Sequence, residues 1–271
     1  MTALALASMV RRGELALEAP IRELVPNGTT TPERDGRGIT LVDLAMHRSG
    51  LPRLPANLAL TARLSSDPYK EYDRTKLFAF LERHHLRHVP GDRFEYSNLG
   101  YGLLGTLIAG RAKVSYAELL HSHVFGPLEM TSSHAGYDRD GDLIPGHNAG
   151  GWPRPAWHMG ALEGAGIVRS TVNDMLRFVA AHLAVAAGDV AADASLTQAP
   201  RAPAMGGHRI GLAWLTGPRG NVWHNGGTGG FRSFAGFSPT RRNAVVVLSN
   251  ASIASVDAIG LHLLDQGIPL Q

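Results

Sequence analysis

The first ten residues, Met1 to Val10, are apolar almost without interruption, and Arg11 and Arg12 follow them. A helix that is apolar on every side is a buried helix. The segment lacks the basic stretch and the small-residue cleavage site of a signal peptide, so we expect the chain to open inside a protein core. Because a domain rarely begins in its own core, we expect residues upstream of Met1 to belong to the native protein.

Composition excludes several classes of function. The 271 residues are 44% hydrophobic and 18% charged, which is typical of a globular chain with one large domain or two small ones. The absence of cysteine excludes disulfides, thiolate metal sites and cysteine nucleophiles. No apolar run reaches the roughly 18 residues of a membrane helix. The net charge of +3 is not concentrated in any segment, so we expect neither a membrane span nor a nucleic-acid partner.

Helical and strand patterns occupy different parts of the chain. Turn signals and Gly/Pro-rich composition predict loops over 137–154 and 190–207. Apolar periodicity and capping residues predict helices over 40–47, 75–84, 98–110 and 115–124, from Ser170 or Thr171 to Ala187, and over 251–266. The stretches 209–216, 221–225, 231–237 and 244–250 have the pattern of strands joined by turns. Helices followed by a meander of strands predict an α+β fold with an antiparallel sheet.

Three local patterns resemble cofactor or metal motifs without the context that such motifs need. The G-x-G-x-x-G run from Gly100 to Gly105 is not followed by a parallel strand, so close helix packing is the simpler explanation. His84 and His88 have ligand spacing but no third ligand. The run from Asp138 to Asp142 has its glycine in the wrong place for an EF-hand. We therefore expect no cofactor and no metal.

Three other segments carry more information. Tyr96-Ser97-Asn98 follows a Pro-Gly turn and opens an apolar helix, and His224 to Gly230 (HNGGTGG) joins two predicted strands. His47 to Pro52 (HRSGLP) ends a capped helix. Each segment alone can be explained as a helix cap, a glycine turn or a helix stop. Their order along the chain is what suggests a shared function.

In that order they resemble the serine β-lactamase and D-Ala-D-Ala peptidase superfamily, in its class C-like branch. The stretches that carry the resemblance are ITLVDLAMHRSGLP (39–52), FEYSNLGYGLLG (94–105), FGPLEM (125–130), GAGIVRSTVND (164–174) and HNGGTGGFRS (224–233). The resemblance implies one domain, with an antiparallel sheet flanked by helices and an all-helical lobe. The helical lobe would comprise roughly residues 27–200, and the sheet lobe residues 1–26 and 201–271.

One motif of that superfamily is absent from this sequence. Members carry S-x-x-K at the start of a buried helix, which supplies the acylated serine and the lysine that activates it. Each lysine here follows a residue other than serine three positions earlier: Lys70 follows Asp67, Lys76 follows Asp73, and Lys113 follows Gly110. G-x-S-x-G is also absent. The resemblance places S-x-x-K and the first strands of the sheet upstream of Met1, so we expect strands 209–249 to expose an unpaired edge and an apolar face.

The resemblance implies roles for the residues that remain. Tyr96 would relay a proton between the serine and the leaving group, and His224 would tune this tyrosine and face a substrate carboxylate. The Gly227 N–H would be half of an oxyanion hole. The residues expected to bind substrate are Asn98, Asn225, Gly226 and Gly227.

Two classes of function follow. The first is a β-lactamase-related serine hydrolase (an esterase, a D-amino-acid peptidase or a weak β-lactamase) that is inactive in this chain because the serine and lysine are absent. Its substrates would be small esters, β-lactams or D-amino-acid peptides. The H-x-G form favours esters and peptides, since efficient class C enzymes usually carry K-T-G. The second class is a non-catalytic protein of the penicillin-binding fold that binds a ligand or partner through the retained cleft.

Overall fold

The computed structural model describes residues 1–183 and 188–270 of the chain. Two small hairpins lie outside the main sheet: β1 (Glu33–Arg34) with β2 (Arg37–Gly38), and β3 (Gly146–His147) with β4 (Pro153–Arg154). The main sheet contains β5 (Ala202–Pro203), β6 (Arg209–Ile210), β7 (Leu215–Thr216), β8 (Val222–Thr228), β9 (Phe231–Ser238) and β10 (Asn243–Ser249). All its pairings are antiparallel, in the spatial order β10-β9-β8-β7-β6-β5.

Helices surround this sheet and confirm the predicted α+β class. They are α1 (Thr2–Arg11), α2 (Leu41–Ala45), α3 (Leu60–Arg63), α4 (Arg74–Arg83), α5 (Asn98–Ala112), α6 (Tyr116–Leu120), α7 (Val172–His182), α8 (Asp189–Gln198) and α9 (Ser255–Leu264). Within the described ranges, no helix combines the length and the apolar character that crossing a membrane requires.

Helix α1 lies in the core, as its composition predicts. Its apolar side chains are at most 1% exposed from Leu4 to Ala7 and at Met9. Its few polar side chains have partners: the Thr2 hydroxyl bonds the Gly164 carbonyl at 2.8 Å, and the Ser8 hydroxyl meets His123 at 3.0 Å. Burial of a polar group costs little when its hydrogen bonds are kept, so the helix is stable there.

The two faces of the sheet are covered by different helices. Phe234 and Phe237 are three residues apart on β9 and therefore point to opposite faces. Phe234 packs against Gly260 of α9, where a side chain would collide with the ring. Phe237 packs against His182 of α7, with ring centroids 5.3 Å apart. The face of the sheet that carries Phe237 is turned towards the helical part of the molecule.

Helix caps were the most reliable local predictions. Thr40 caps α2 and forms the full capping box with Asp43, and Thr171 caps α7. Ser115 caps α6 in a second capping box, but α6 ends at Leu120 and continues as a π-helical turn to Phe125. Helix α7 ends at His182, and the predicted end at Ala187 lies outside the described residues.

Two predictions for residues 190–216 were wrong. The stretch predicted as a loop contains α8, whose buried Asp193 is paired with Arg11 of α1. The single strand predicted over 209–216 is two short strands that form a hairpin. At Gly211 the chain runs so close to the Thr197 carbonyl that a Cβ would lie 2.5 Å from its oxygen, and Ala213 has a positive φ of 74°. The helix propensity of the alanines favours α8, and tertiary packing around Gly211 divides the predicted strand.

The outer edge of the sheet is β10. In the described part of the chain it pairs with β9 alone, so one row of its backbone groups has no strand partner. The expected exposed apolar face does not occur, since residues 243–247 are half-buried between α7 and α9. The unpaired edge itself remains, with Leu248 38% exposed on it. A free, uncharged edge strand is a template for pairing with another chain.

We therefore expect this 271-residue chain to self-associate through β10. Leu248→Lys should reduce the association, because a charge on an edge strand opposes pairing. Leu64→Lys is the matched control, since Leu64 is 81% exposed and far from β10 in the chain. Sedimentation velocity over a range of concentrations measures the effect. A monodisperse wild-type chain, or equal effects of both variants, would contradict the assignment.

Candidate active site

The His47 loop and the Tyr96 segment are joined by hydrogen bonds. The Glu95 N–H donates to the His47 carbonyl at 2.7 Å, and the Ser97 N–H donates to His47 Nδ1 at 3.0 Å. The Ser97 hydroxyl donates to the Pro52 carbonyl at 2.7 Å. His47 itself has a left-handed φ of 53°. The HRSGLP and Tyr96-Ser97-Asn98 motifs are therefore in direct contact in the folded chain.

Helix α5 begins at this junction. Ser97 is its N-cap, and the Gly100 N–H donates to the Ser97 hydroxyl at 2.8 Å. Further along, Gly102 and Gly105 pack against the 3₁₀ turn Gly160–Ala165, where a Cβ at either glycine would lie 2.7 Å from a backbone Cα. The glycines of the G-x-G-x-x-G run thus permit close packing, as the absence of a parallel strand indicated.

The Tyr96 ring is half-buried among three groups. It stacks on His47 with ring centroids 4.2 Å apart, and its centroid is 6.2 Å from that of His224. The Arg53 guanidinium carbon lies 5.6 Å from the ring centroid. Burial raises the pKa of Tyr96, and the positive charge of Arg53 opposes that rise. Tyr96 is therefore a neutral phenol near pH 7.

The register of β8 decides which side chains of the HNGG run face the cleft. His224 pairs with Ala235, on the face that looks towards α7 and Tyr96. Burial lowers the pKa of His224 to about 4, although Asp257 opposes this effect. The imidazole is neutral near pH 7. A neutral ring supplies no positive charge to Tyr96, so any tuning of Tyr96 by His224 would act through hydrogen bonding.

Asn225 lies on the opposite face of β8 from His224. Its amide donates to the Asp257 carboxylate of α9 at 2.5 Å. The side chain that we expected to bind substrate is therefore engaged in holding β8 to α9, and its backbone is what borders the cleft. Period-two alternation along a strand accounts for this separation.

Gly226 and Gly227 continue β8 along the cleft. A Cβ at Gly226 would lie 2.5 Å from the Ser233 hydroxyl, and one at Gly227 would lie 2.6 Å from the Arg232 guanidinium. Side chains of β9 thus occupy the space that side chains at these two positions would fill, and glycine in a strand is typical of sites where a ligand approaches the backbone closely. This is the property that an oxyanion-binding N–H requires.

Asn98 is held by a residue that sequence reasoning missed. A hydrogen bond joins its side chain to the Tyr69 hydroxyl, and burial raises the pKa of that phenol. Tyr69 also packs edge-to-face on Trp157, with ring centroids 5.4 Å apart. No spacing rule connects Tyr69 to Asn98, because the two are 29 positions apart and meet only in the folded chain.

All six predicted site residues border one cavity of about 510 Å³. A second wall of this cavity comes from the loop between Leu143 and Trp157, which sequence reasoning assigned no function. The His147 N–H donates to the Asn250 carbonyl at 2.8 Å and fixes the loop to the end of β10. Trp157 lies over Gly229, where a Cβ would be 2.4 Å from the indole nitrogen.

The described residues contain no group of three or more His, Asp or Glu side chains that could hold a metal ion. His84, one of the two histidines with ligand spacing, stacks on Phe80 instead. The Asp140–Asp142 stretch forms a short 3₁₀ turn, in which Arg139 pairs with Asp142.

The family model described as Beta-lactamase matches residues 1–266. The chain belongs to the Beta-lactamase family. Its members include serine hydrolases, and four of the five stretches quoted above contribute residues to the cavity: 39–52, 94–105, 164–174 and 224–233.

The relatives of this Beta-lactamase family chain include two bacterial proteins. The chain is 29% identical, over 68% of its length, to the D-alanyl-D-alanine-carboxypeptidase/endopeptidase AmpH of Escherichia coli K12. It is 25% identical, over 98% of its length, to Protein flp of Staphylococcus aureus MW2. It covers 46% of AmpH and 54% of flp, so it spans about half the length of these relatives.

Solved structures of Beta-lactamase type share the fold. The TM-score is 0.83 to a β-lactamase/D-alanine carboxypeptidase from Yersinia pestis, at 21% identity, covering 97% of this chain and 80% of that one. It is 0.81 to the octameric penicillin-binding protein homologue from Pyrococcus abyssi, at 24% identity, covering 98% and 63%. The antiparallel sheet with flanking helices is thus the β-lactamase/transpeptidase fold.

Buried neutral histidines predict a pH dependence of stability. Burial lowers the pKa of His47 to about 3 and that of His182 and His224 to about 4. Unfolded histidine titrates near 6.5, so between that pH and about 4 the unfolded chain binds more protons. The free energy of unfolding should therefore fall as the pH drops below 6.5, by about 1.4 kcal/mol per pH unit for each histidine.

Urea denaturation at several pH values measures this slope. His47→Asn should reduce it by about 1.4 kcal/mol per pH unit, since Asn accepts a left-handed φ and removes one titrating group. His121→Gln is the control, because His121 is exposed. Equal slopes for the His47→Asn variant and the wild type would show that His47 is not buried as a neutral imidazole.

Proposed function

We propose that this chain carries the binding and proton-relay part of a β-lactamase-related serine hydrolase that works through an acyl-serine. The observation that carries the proposal is the meeting of Tyr96, Asn98, His224 and the Gly226–Gly227 backbone around one cavity. Substrates would be small esters, D-amino-acid peptides or, less efficiently, β-lactams. Membership of the family and the similarity to a D-Ala-D-Ala carboxypeptidase support this class of substrate.

Each residue would have a separate task. Tyr96, a neutral phenol that stacks on a neutral imidazole, would pass its proton to the leaving group and recover one from the serine. Asn98, fixed by Tyr69, would orient the substrate amide. The Gly227 N–H would stabilise the oxyanion. Neutral His224 would donate or accept a hydrogen bond at the substrate carboxylate instead of pairing with it as a cation.

The nucleophile is the part that these residues do not supply. Ser97 is the serine beside Tyr96, but it is fully buried. Its hydroxyl donates to the Pro52 carbonyl and accepts from the Gly100 N–H. A hydroxyl engaged in this way caps a helix and is not free to attack a carbonyl. Acyl-serine chemistry at this site would thus need an S-x-x-K motif, which the 271 residues do not contain.

We therefore expect no covalent labelling of this chain by fluorescent penicillin. The label traps an activated serine, and the Ser97 hydroxyl bonds two backbone groups, the Pro52 carbonyl and the Gly100 N–H, instead of a base. Gel fluorescence together with intact-mass measurement detects the adduct, and a penicillin-binding protein labelled in parallel is the positive control. Stoichiometric labelling that maps to Ser97 would contradict the assignment of Ser97 as a helix cap.

The role of Tyr96 can be tested in a version of the protein that carries S-x-x-K ahead of Met1. Tyr96→Phe removes only the hydroxyl, so it should lower kcat on p-nitrophenyl esters by about 10²–10⁴, the usual effect of losing a general acid–base group. Tyr72→Phe is the control, because the Tyr72 hydroxyl bonds Asn57, away from the cavity. An unchanged kcat in Tyr96→Phe would exclude the proton relay.

The alternative is a non-catalytic protein that binds a ligand or partner through the same cavity. The engagement of the Ser97 hydroxyl as a helix cap favours it. The genomic DNA upstream of the Met1 codon distinguishes the two: an in-frame S-x-x-K supports the hydrolase, and a stop codon directly upstream supports the binding protein.

A further inference from the structure

Tyr96 needs a positive charge if its proton is to leave easily, because burial disfavours the phenolate. The groups that face its ring are the imidazoles of His47 and His224 and the guanidinium of Arg53. The phenol of Tyr101 is close enough to interact electrostatically with it. Both imidazoles are neutral near pH 7, and Tyr101 carries no positive charge. In the described part of the chain, Arg53 is therefore the cation that faces Tyr96.

The fold fixes Arg53 in this place. Its carbonyl accepts a hydrogen bond from the Leu99 N–H at 3.2 Å, so its main chain is tied to the first turn of α5. Ser97 holds the preceding residue, Pro52, in the same way. The side chain is exposed, and among the described residues no carboxylate lies within ion-pair distance of it. Nothing in that part of the chain neutralises its charge.

The arginines that border the cavity, Arg169 and Arg232, face away from Tyr96. The Arg169 guanidinium donates to the carbonyls of Ile167 and Trp157 and lies over the Tyr137 ring. Arg232 is opposite Gly227 on β9, and this places it on the α9 side of the sheet, away from Tyr96. Neither arginine is among the charges that act on Tyr96.

We propose that Arg53 supplies the positive charge that stabilises the anionic form of Tyr96. The resemblance to the superfamily would assign the stabilisation of the Tyr96 anion to His224 on β8. The geometry assigns it instead to Arg53, which directly follows the HRSGLP motif. When the Tyr96 O–H bond breaks, the electron pair stays on the phenolate oxygen while the proton passes to the leaving group. A cation 5.6 Å from the ring centroid stabilises that charge more than it stabilises the neutral ring.

Arg53 is thus a positioning residue, which acts on the reaction only through Tyr96. The inference rests on the proposed function for its catalytic meaning. The effect of the Arg53 charge on the Tyr96 phenol does not require catalysis. It can therefore be tested on this chain as it exists, and its outcome is independent of whether the chain hydrolyses anything.

The experiment is a titration of Tyr96 by ¹⁹F NMR in protein whose tyrosines are replaced by 3-fluorotyrosine. Fluorination makes the phenol more acidic, so the titration avoids strongly alkaline solution. The signal that disappears in Tyr96→Phe identifies the residue. Arg53→Gln should raise the pKa of Tyr96 by roughly 0.5–1, as expected for a charge that is partly screened by water. Arg53→Lys, which keeps the charge, should restore at least half of the difference.

Two controls separate this local effect from general ones. Arg93→Gln removes the same net charge from another exposed arginine, and it should leave the Tyr96 titration unchanged. Added salt should raise the pKa of Tyr96 in the wild type but not in Arg53→Gln, because screening acts on an exposed charge. Equal titrations of Tyr96 in the wild type and in Arg53→Gln would overturn the proposal, and so would equal shifts in the Arg53→Gln and Arg93→Gln variants.

Discussion

The hydrogen bond from the Ser97 N–H to His47 Nδ1 organises the site. It is buried, it requires the neutral imidazole as an acceptor, and it sets the first turn of α5. The side chains on either side of Ser97 are Tyr96 and Asn98, so the same bond fixes where both point. His47 can present its ring in this direction because its backbone adopts a left-handed φ before Gly50 turns the chain back. The HRSGLP motif therefore holds the Tyr96-Ser97-Asn98 segment in place through hydrogen bonds.

Burial then governs the electrostatics of the cleft. It keeps His47 and His224 neutral and makes the Tyr96 phenolate costly. A site with neutral imidazoles can exchange hydrogen bonds with a substrate, but it must take positive charge from a residue that water still solvates. Arg53 meets that condition, since its backbone is anchored to Leu99 while its guanidinium remains exposed.

Much of this could be predicted from the sequence, because the responsible signals are local or form motifs. Thr40 and Ser115 cap their helices as expected, and the segments of Tyr96 and His224 meet at one cavity. The rest depends on packing that has no local signal. The orientation of Asn225 follows from strand register, and the support of Asn98 by Tyr69 needs a fold that brings distant residues together. The resemblance assigned the tuning of Tyr96 to His224, which stands where K-T-G carries its lysine, although Arg53, outside every quoted motif, faces the tyrosine.

The proposed function requires that the segments of Tyr96 and of Gly226–Gly227 form one binding site for an acylated D-amino-acid peptide or a small ester. The most direct measurement is a ¹H–¹⁵N NMR titration of the chain with an acyl-D-alanyl-D-alanine peptide. We expect the backbone amides of Gly226 and Gly227 and the side-chain amide of Asn98 to shift together with one affinity. Shifts confined to another surface, or no shifts at the solubility limit of the peptide, would contradict it.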